Sequence, residues 1–282
     1  MFLGEKAGKL KKQEYLHKLF SNQANIHYWE SIYKRKDFWG LSFRKRMYLA
    51  LSWLDDLNLQ KNAKILDIGC GAGVMVREIA NRGYEVFGMD YSYDMIKKAK
   101  GVCGVNAELN IKFLQGDIES LPFKDSVFDM VSCLGVITYL KSEEKALREM
   151  SRIIRPDGIL ILSILNKVPL AKCLDISVLV KRRLEMALRR KITSQKSRDR
   201  NKENYSTLRS YFIPSLRNSL EIAGFRELDC VAVQYGPLTF FGRRIFPEGI
   251  NISITTFLEE FSNMPVIRSF GNMCLFKLRK VK

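Results

Sequence analysis

The chain is poor in the residues that most often do chemistry at neutral pH. Only two of its 282 residues are histidine, His17 and His27. Six cysteines stand at positions 70, 103, 133, 173, 230 and 274, with no Cys-x-x-Cys pair and no Cys/His cluster. That scatter argues against structural zinc and against a disulfide framework, and it fits a reducing compartment. No metal site is expected. No uninterrupted apolar run reaches the roughly 18 residues that a spanning helix needs. The opening Met1-Phe2-Leu3-Gly4-Glu5-Lys6 has no apolar core of the secretory kind, so a cytoplasmic location is expected. Repeats and low-complexity tracts are missing as well. Acidic residues are scarce: 30 Asp/Glu against 47 Lys/Arg leave a net charge of +17.

The excess of positive charge is uneven. Residues 1–46 carry 11 Lys/Arg against 4 Asp/Glu, and residues 181–202 carry 10 against 2. Residues 47–180 are almost neutral, with 16 against 17. Charge placed this way concerns a partner, such as an anionic membrane surface, a phosphorylated substrate or nucleic acid, or else it marks solvated helix faces.

The neutral part holds the most informative run, Ala63-Lys64-Ile65-Leu66-Asp67-Ile68-Gly69-Cys70-Gly71-Ala72-Gly73. A short apolar strand ends in an acid, and three glycines follow at a spacing of two. Glycines let a backbone turn sharply and let a ligand approach closely. Asp90 closes a second strand, Glu85–Asp90, where an acid can accept both hydroxyls of a ribose. The dinucleotide fingerprint has its third glycine three positions after the second. Here the spacing differs, and Asp67 stands where a phosphate would be repelled and a cationic amino-acid portion welcomed.

Strands and helices alternate around this run. Lys64–Ile68, Glu85–Met89, Ile111–Leu114, Val127–Cys133 and Ile159–Ile164 read as buried parallel strands. Gly73–Arg82, Tyr93–Cys103 and Ser142–Ile154 read as helices, the last stopped by Pro156-Asp157-Gly158. Pro214–Ala223 predicts another helix, with Phe225–Gln234 and Met273–Lys280 as final strands. The fold class is α/β, a doubly wound parallel sheet with its ligand at the strand tips. The chain divides into a helical, aromatic-rich arm at 1–58, a nucleoside-binding core at 59–165, a basic helical insertion at 166–210 and the C-terminal end of the sheet at 211–282. An insertion at 236–270, with an amphipathic helix near 252–262, interrupts this last part.

These motifs resemble those of class I S-adenosylmethionine (SAM) dependent methyltransferases, in particular the ubiquinone/menaquinone-biosynthesis-like group (methyltransferase type 11). Ile65–Gly73 is similar to motif I and Asp90 to the ribose-binding acid. Gln115-Gly116-Asp117-Ile118-Glu119-Ser120-Leu121-Pro122-Phe123 resembles the adenine-binding motif, and Phe128–Cys133 resembles motif IV. The resemblance covers about residues 60–165. It implies a seven-stranded Rossmann-like sheet and SAM as cofactor. It implies that the Gly69–Gly73 turn, with Gly69, Cys70 and Gly71 as cofactor-binding residues, passes under the methionine and ribose portions, with Asp67 near the amino group. Asp90 would accept the ribose hydroxyls, Tyr91 would pack on the adenine, and Asp117 with the Ile118 amide would hold the adenine edge. Cys133 and Leu134 would border the sulfonium. Asp67, Tyr91 and Cys133 also have plainer readings, as a helix cap, a core aromatic and a small buried hydrophobe.

Where relatives often carry a histidine after motif IV, this chain has Tyr139, a poor general base with an unperturbed pKa of roughly 10. His27, in the arm that often folds over the cofactor, is the other catalytic candidate, and Tyr33 and Arg46 of the same arm are candidates for the SAM carboxylate. The expected function is methyl transfer to a small-molecule or lipid-linked acceptor that can be anionic. Val168–Arg190, a basic amphipathic stretch, would cover that acceptor or lie on an anionic membrane surface. The alternative is an RNA (tRNA) methyltransferase. Against it, motif IV lacks the Asp/Asn-Pro-Pro-Tyr/Phe pattern and no separate RNA module is visible. Binding without catalysis is a third reading, opposed by the intact acids and glycines. Nothing in the sequence fixes an oligomeric state.

Overall fold

In the computed structural model, residues 19–20, 22–104, 109–169, 208–240, 243–262 and 264–281 are described. The expected basic helix near 170–191, the polar stretch 193–203 and His17 lie outside the described residues.

Short apolar runs bounded by Gly, Asp or Pro build a seven-stranded sheet. Its strands are β1 (Lys64–Ile68), β2 (Glu85–Asp90), β3 (Ile111–Gln115), β4 (Phe128–Leu134), β5 (Ile154–Leu165), β6 (Phe225–Val233) and β7 (Met273–Lys280), ordered β3-β2-β1-β4-β5-β7-β6. β3, β2, β1, β4 and β5 pair in parallel; β7 runs antiparallel to both β5 and β6. β5 starts earlier than the sequence suggests. The Pro156-Asp157-Gly158 turn lies inside it, with Asp157 at φ 62° and a register shift opposite Phe128–Met130.

Helices cover both faces. α1 (Gln23–Ser31) and α2 (Phe38–Asp55) form the arm, and Asp37 caps α2 by accepting from the Gly40 amide at 2.9 Å. α3 (Val74–Ala80) and α4 (Tyr93–Cys103) join α2 on one face, through Met47, Leu51, Val76, Ile79 and Ile96. α5 (Glu144–Ile153) and α6 (Ile213–Ile222) cover the other, through Leu147, Met150, Leu216 and Leu220. α7 (Glu248–Glu260) belongs to the β6–β7 connection.

Strand alternation decides what each side chain meets. On β1, Leu66 and Ile68 enter the core under α5, while Ile65 enters the opposite core. Asp67 shares the side of Ile65. On β4, Val131 and Cys133 follow Leu66 and Ile68, and Ser132 follows Asp67, its partner across the ladder.

Candidate SAM site

A pocket opens at the carboxyl ends of β1, β2 and β4. The sequence motifs supply its floor: Asp67, Gly69, Cys70 and Gly71 from the β1 turn, Asp90 and Tyr91 from β2, and Asp117 and Ile118 after β3. The arm supplies Phe20, Trp29, Tyr33 and Arg46, and the segment after β4 supplies Leu134, Gly135, Val136 and Tyr139.

Asp67 is buried, and its Oδ1 accepts from the Ser132 hydroxyl at 2.6 Å. Burial pushes its carboxyl up to about 7, with the nearby charge of Asp90 adding; the Ser132 bond and the charge of Arg46 pull the other way. Asp90 is fixed by two backbone amides, Gly71 N to Oδ2 at 2.9 Å and Ser92 N to Oδ1 at 2.9 Å. Burial raises its carboxyl against those bonds. The Gly71 amide is available because the turn takes φ +52° there, and a Cβ at this position would meet only open space. Asp117 accepts from the Glu119 amide at 2.9 Å, which folds the loop back on itself. Burial, and then the charge of Asp117, raises the Tyr91 phenol.

Arg46 is the cation of the pocket. It is 4% exposed, its guanidinium lies 4.6 Å from the Phe43 ring centroid, and its Nε has no hydrogen-bond partner. Its Nη1 comes so close to Gly135 (φ +83°) that a Cβ there would sit 2.9 Å away. A buried, partly unsatisfied guanidinium is costly unless an anion completes it.

Two sequence expectations are corrected. His27 does not reach the pocket: α1 turns Ile26 inward and points Trp29 at the cavity, leaving the His27 side chain 80% exposed, 3.9 Å from Glu30. Cys133 is not a wall of the pocket either. It faces the α5 core, fully buried, and burial raises its thiol far above the usual range. Leu134, Gly135 and Val136 take its place because the chain turns just after the strand tip. Tyr139 does line the pocket, with its ring 5.2 Å edge-on from Phe20. Phe20, Trp29 and Val136 carry no motif, and their position follows only from how the arm and the post-β4 turn fold. Among the described residues no group of three potential metal ligands comes together.

Residues 66–162 match the family model described as a methyltransferase domain. A demethylmenaquinone methyltransferase from Geobacillus sp. (strain WCH70) is 29% identical over 148 residues, 49% of this chain and 62% of that protein. A ubiquinone biosynthesis O-methyltransferase from Alkalilimnicola ehrlichii is 33% identical over 107 residues, 38% of this chain and 43% of that protein. The chain thus spans less than two thirds of the length of these relatives. The structure of magnesium protoporphyrin IX methyltransferase from Synechocystis with bound SAH matches at a TM-score of 0.59 and 18% identity, over 95% of this chain and 99% of that one. At that identity the likeness shows the fold alone. Residues 66–162 thus match a methyltransferase domain, and the fold around them is the one seen in a SAM-dependent methyltransferase. The relatives named for quinone biosynthesis are similar to this chain over 148 and 107 residues.

Proposed function

We propose that this protein transfers a methyl group from SAM to a small-molecule or lipid-linked acceptor. The observation that carries this reading is the convergence of Asp67, Asp90, Asp117 and Arg46 on one pocket at the strand tips. SAM carries an ammonium, a carboxylate, two ribose hydroxyls and an adenine amino group. Asp67 suits the ammonium, Arg46 the carboxylate, Asp90 the hydroxyls and Asp117 the amino group. The unsatisfied Nε of Arg46 and the buried carboxyl of Asp67 fit such a zwitterion. Bound there, SAM would supply an electrophilic methyl on a sulfonium.

The chain's own residues then position and exclude water. Methyl transfer from sulfur is an in-line displacement, for which holding two reactants in register is most of the task. A base is needed only if the acceptor must lose a proton of high pKa. With His27 outside the pocket, Tyr139 is left to orient an acceptor rather than to deprotonate it. Phe20, Trp29, Val136, Tyr139 and Leu140 make one side of the cavity apolar and aromatic. That supports an acceptor with an aromatic or aliphatic body, in keeping with the quinone-directed names of the relatives. The basic segment 166–210, proposed as a lid, would favour an anionic group on that acceptor. The charge of +17 keeps one other reading open to test, methylation of tRNA.

Titration calorimetry with SAM tests the site. Asp90→Ala should weaken binding by at least tenfold, since it removes a charge-assisted pair of hydrogen bonds worth about 1.5–3 kcal/mol. Equal affinity in the mutant would refute the assignment. Methyl incorporation into bulk tRNA, without incorporation into extracted lipid, would replace the acceptor reading with the RNA one.

A further inference from the structure

Helix α7 in the β6–β7 connection is built inside out. Its inward side is largely polar: Asn251 and Thr255 are buried, Ser262 continues that side, and Leu258 is its one apolar side chain packed against the core. Asn251 Oδ1 accepts from the Leu238 amide at 3.1 Å, and its Nδ2 donates to the Phe246 carbonyl at 2.7 Å. Glu259 accepts from the Gln234 amide at 2.9 Å and pairs with Lys45. The outward side is apolar. Ile250, Phe257 and Phe261 follow at i, i+7 and i+11, which is one face of a helix, and they are 47%, 60% and 38% exposed. Met264 and Val266 extend the ridge, at 54% and 70%. A surface helix ordinarily shows the reverse arrangement. Single exposed apolar residues need no explanation, but a ridge of them marks a contact surface.

Cations flank one end of this ridge. Lys34, Arg35 and Lys36 precede α2, and Arg243 and Arg244 precede α7. The two segments are tied together: the Phe38 amide donates to Glu248 Oε1 at 2.8 Å, and Arg244 lies 3.9 Å from Glu248. Asp37 and Glu248 offset only part of the positive charge. The position is also fixed. β6 runs parallel to β5, so the connection emerges from the strand tips at which the pocket opens.

We propose that this face docks on an anionic lipid surface. Ile250, Phe257 and Phe261 enter the interfacial layer, and Lys34–Lys36, Arg243 and Arg244 meet the headgroups. Apolar side chains beside a cationic rim are the chemistry of interfacial binding. A second copy of the chain fits less well, because a two-fold contact sets each patch against itself and brings cations onto cations. The proposal deepens and rests on the lipid-linked reading of the acceptor, since the connection and the pocket share the strand-tip end of the sheet.

Co-sedimentation with phosphatidylcholine vesicles, with and without phosphatidylglycerol, tests it. The wild-type chain should sediment with the anionic vesicles alone. Phe257→Ser combined with Phe261→Ser should lower that partition about tenfold or more, and Arg243→Gln with Arg244→Gln should lower it by about the same factor. All side chains changed are exposed, so SAM binding by calorimetry should stay at the wild-type value in both variants. Equal partition of wild type and the phenylalanine variant overturns the proposal. So does a wild-type dimer in the ultracentrifuge that this variant dissolves while no vesicle binding is seen. Failure of wild-type SAM binding, by contrast, sinks the methyl-transfer reading and leaves the vesicle result standing.

Discussion

Asp67 titrates where the cell does. Burial lifts its carboxyl to about 7, so the group is half protonated near neutral pH in the ligand-free protein. The sign for stability is fixed by that direction. The folded state holds this proton more tightly than the unfolded chain. Asp67 therefore favours the fold most at low pH, and that contribution is lost as pH rises from the ordinary carboxylate range through about 7. For binding the sign is opposite. A cation such as the SAM ammonium prefers the ionised carboxylate, so its arrival expels a proton. SAM affinity should rise between about pH 6 and pH 8, and the calorimetric heat near pH 7 should depend on the ionisation enthalpy of the buffer. Asp67→Asn should flatten both dependences. A mutant that kept them would show that another group titrates.

At the level of elements, α5 holds the loop that carries Asp117 and Ile118. Arg152 donates to the carbonyls of Phe123 at 2.7 Å and Leu121 at 3.0 Å, and it pairs with Glu149 and Asp125 at 2.8 Å each. Glu149 Oε2 accepts from the Leu121 amide at 2.8 Å. Neither side chain touches the pocket, yet both fix the loop that does. Arg152→Ala should raise the KM for SAM several-fold while kcat at saturation falls less than about twofold, because it loosens ground-state binding and leaves the reacting atoms alone. An equal fall in both constants would disprove the positioning role. The same scale explains what could be read in advance. β1, β2 and α4 were legible to within a residue, because buried strands read as short apolar runs and glycines or acids end them. Cys133 was misread because a strand tip has two faces, and only the pairing of Ser132 with Asp67 tells which one carries the pocket. His27 was misread because α1 spaces Ile26 and Trp29 on one side of the helix, and a motif-free helix does not announce its orientation. The inverted faces of α7 were hidden for a related reason. An amphipathic pattern shows that two sides differ, and it leaves open which one the protein covers.

For the molecule as a whole, the decisive strand is β7. It lies between β5 and β6 and pairs antiparallel with both, so among the described residues β6 has β7 as its one strand neighbour. Cys274, Leu275, Phe276 and Leu278 are fully buried there. At about 1.5–3 kcal/mol for each large apolar side chain, their loss matches the whole stability of a typical domain, about 5–15 kcal/mol. A chain cut after residue 272 should therefore show no cooperative thermal transition; a melting curve like that of the full chain would contradict this account. The same placement has a consequence for synthesis. The ribosome delivers β1 to β5 and then β6 well before the strand that must separate β5 from β6. Until residues 273–280 emerge, the β5 edge offers unpaired amides and carbonyls to any other strand within reach, and β6 lacks the strand it pairs with. The nascent protein thus passes through a half-sheet with an open seam. β7 closes that seam like the tongue of a buckle, and the sheet becomes a single cooperative unit only at that moment.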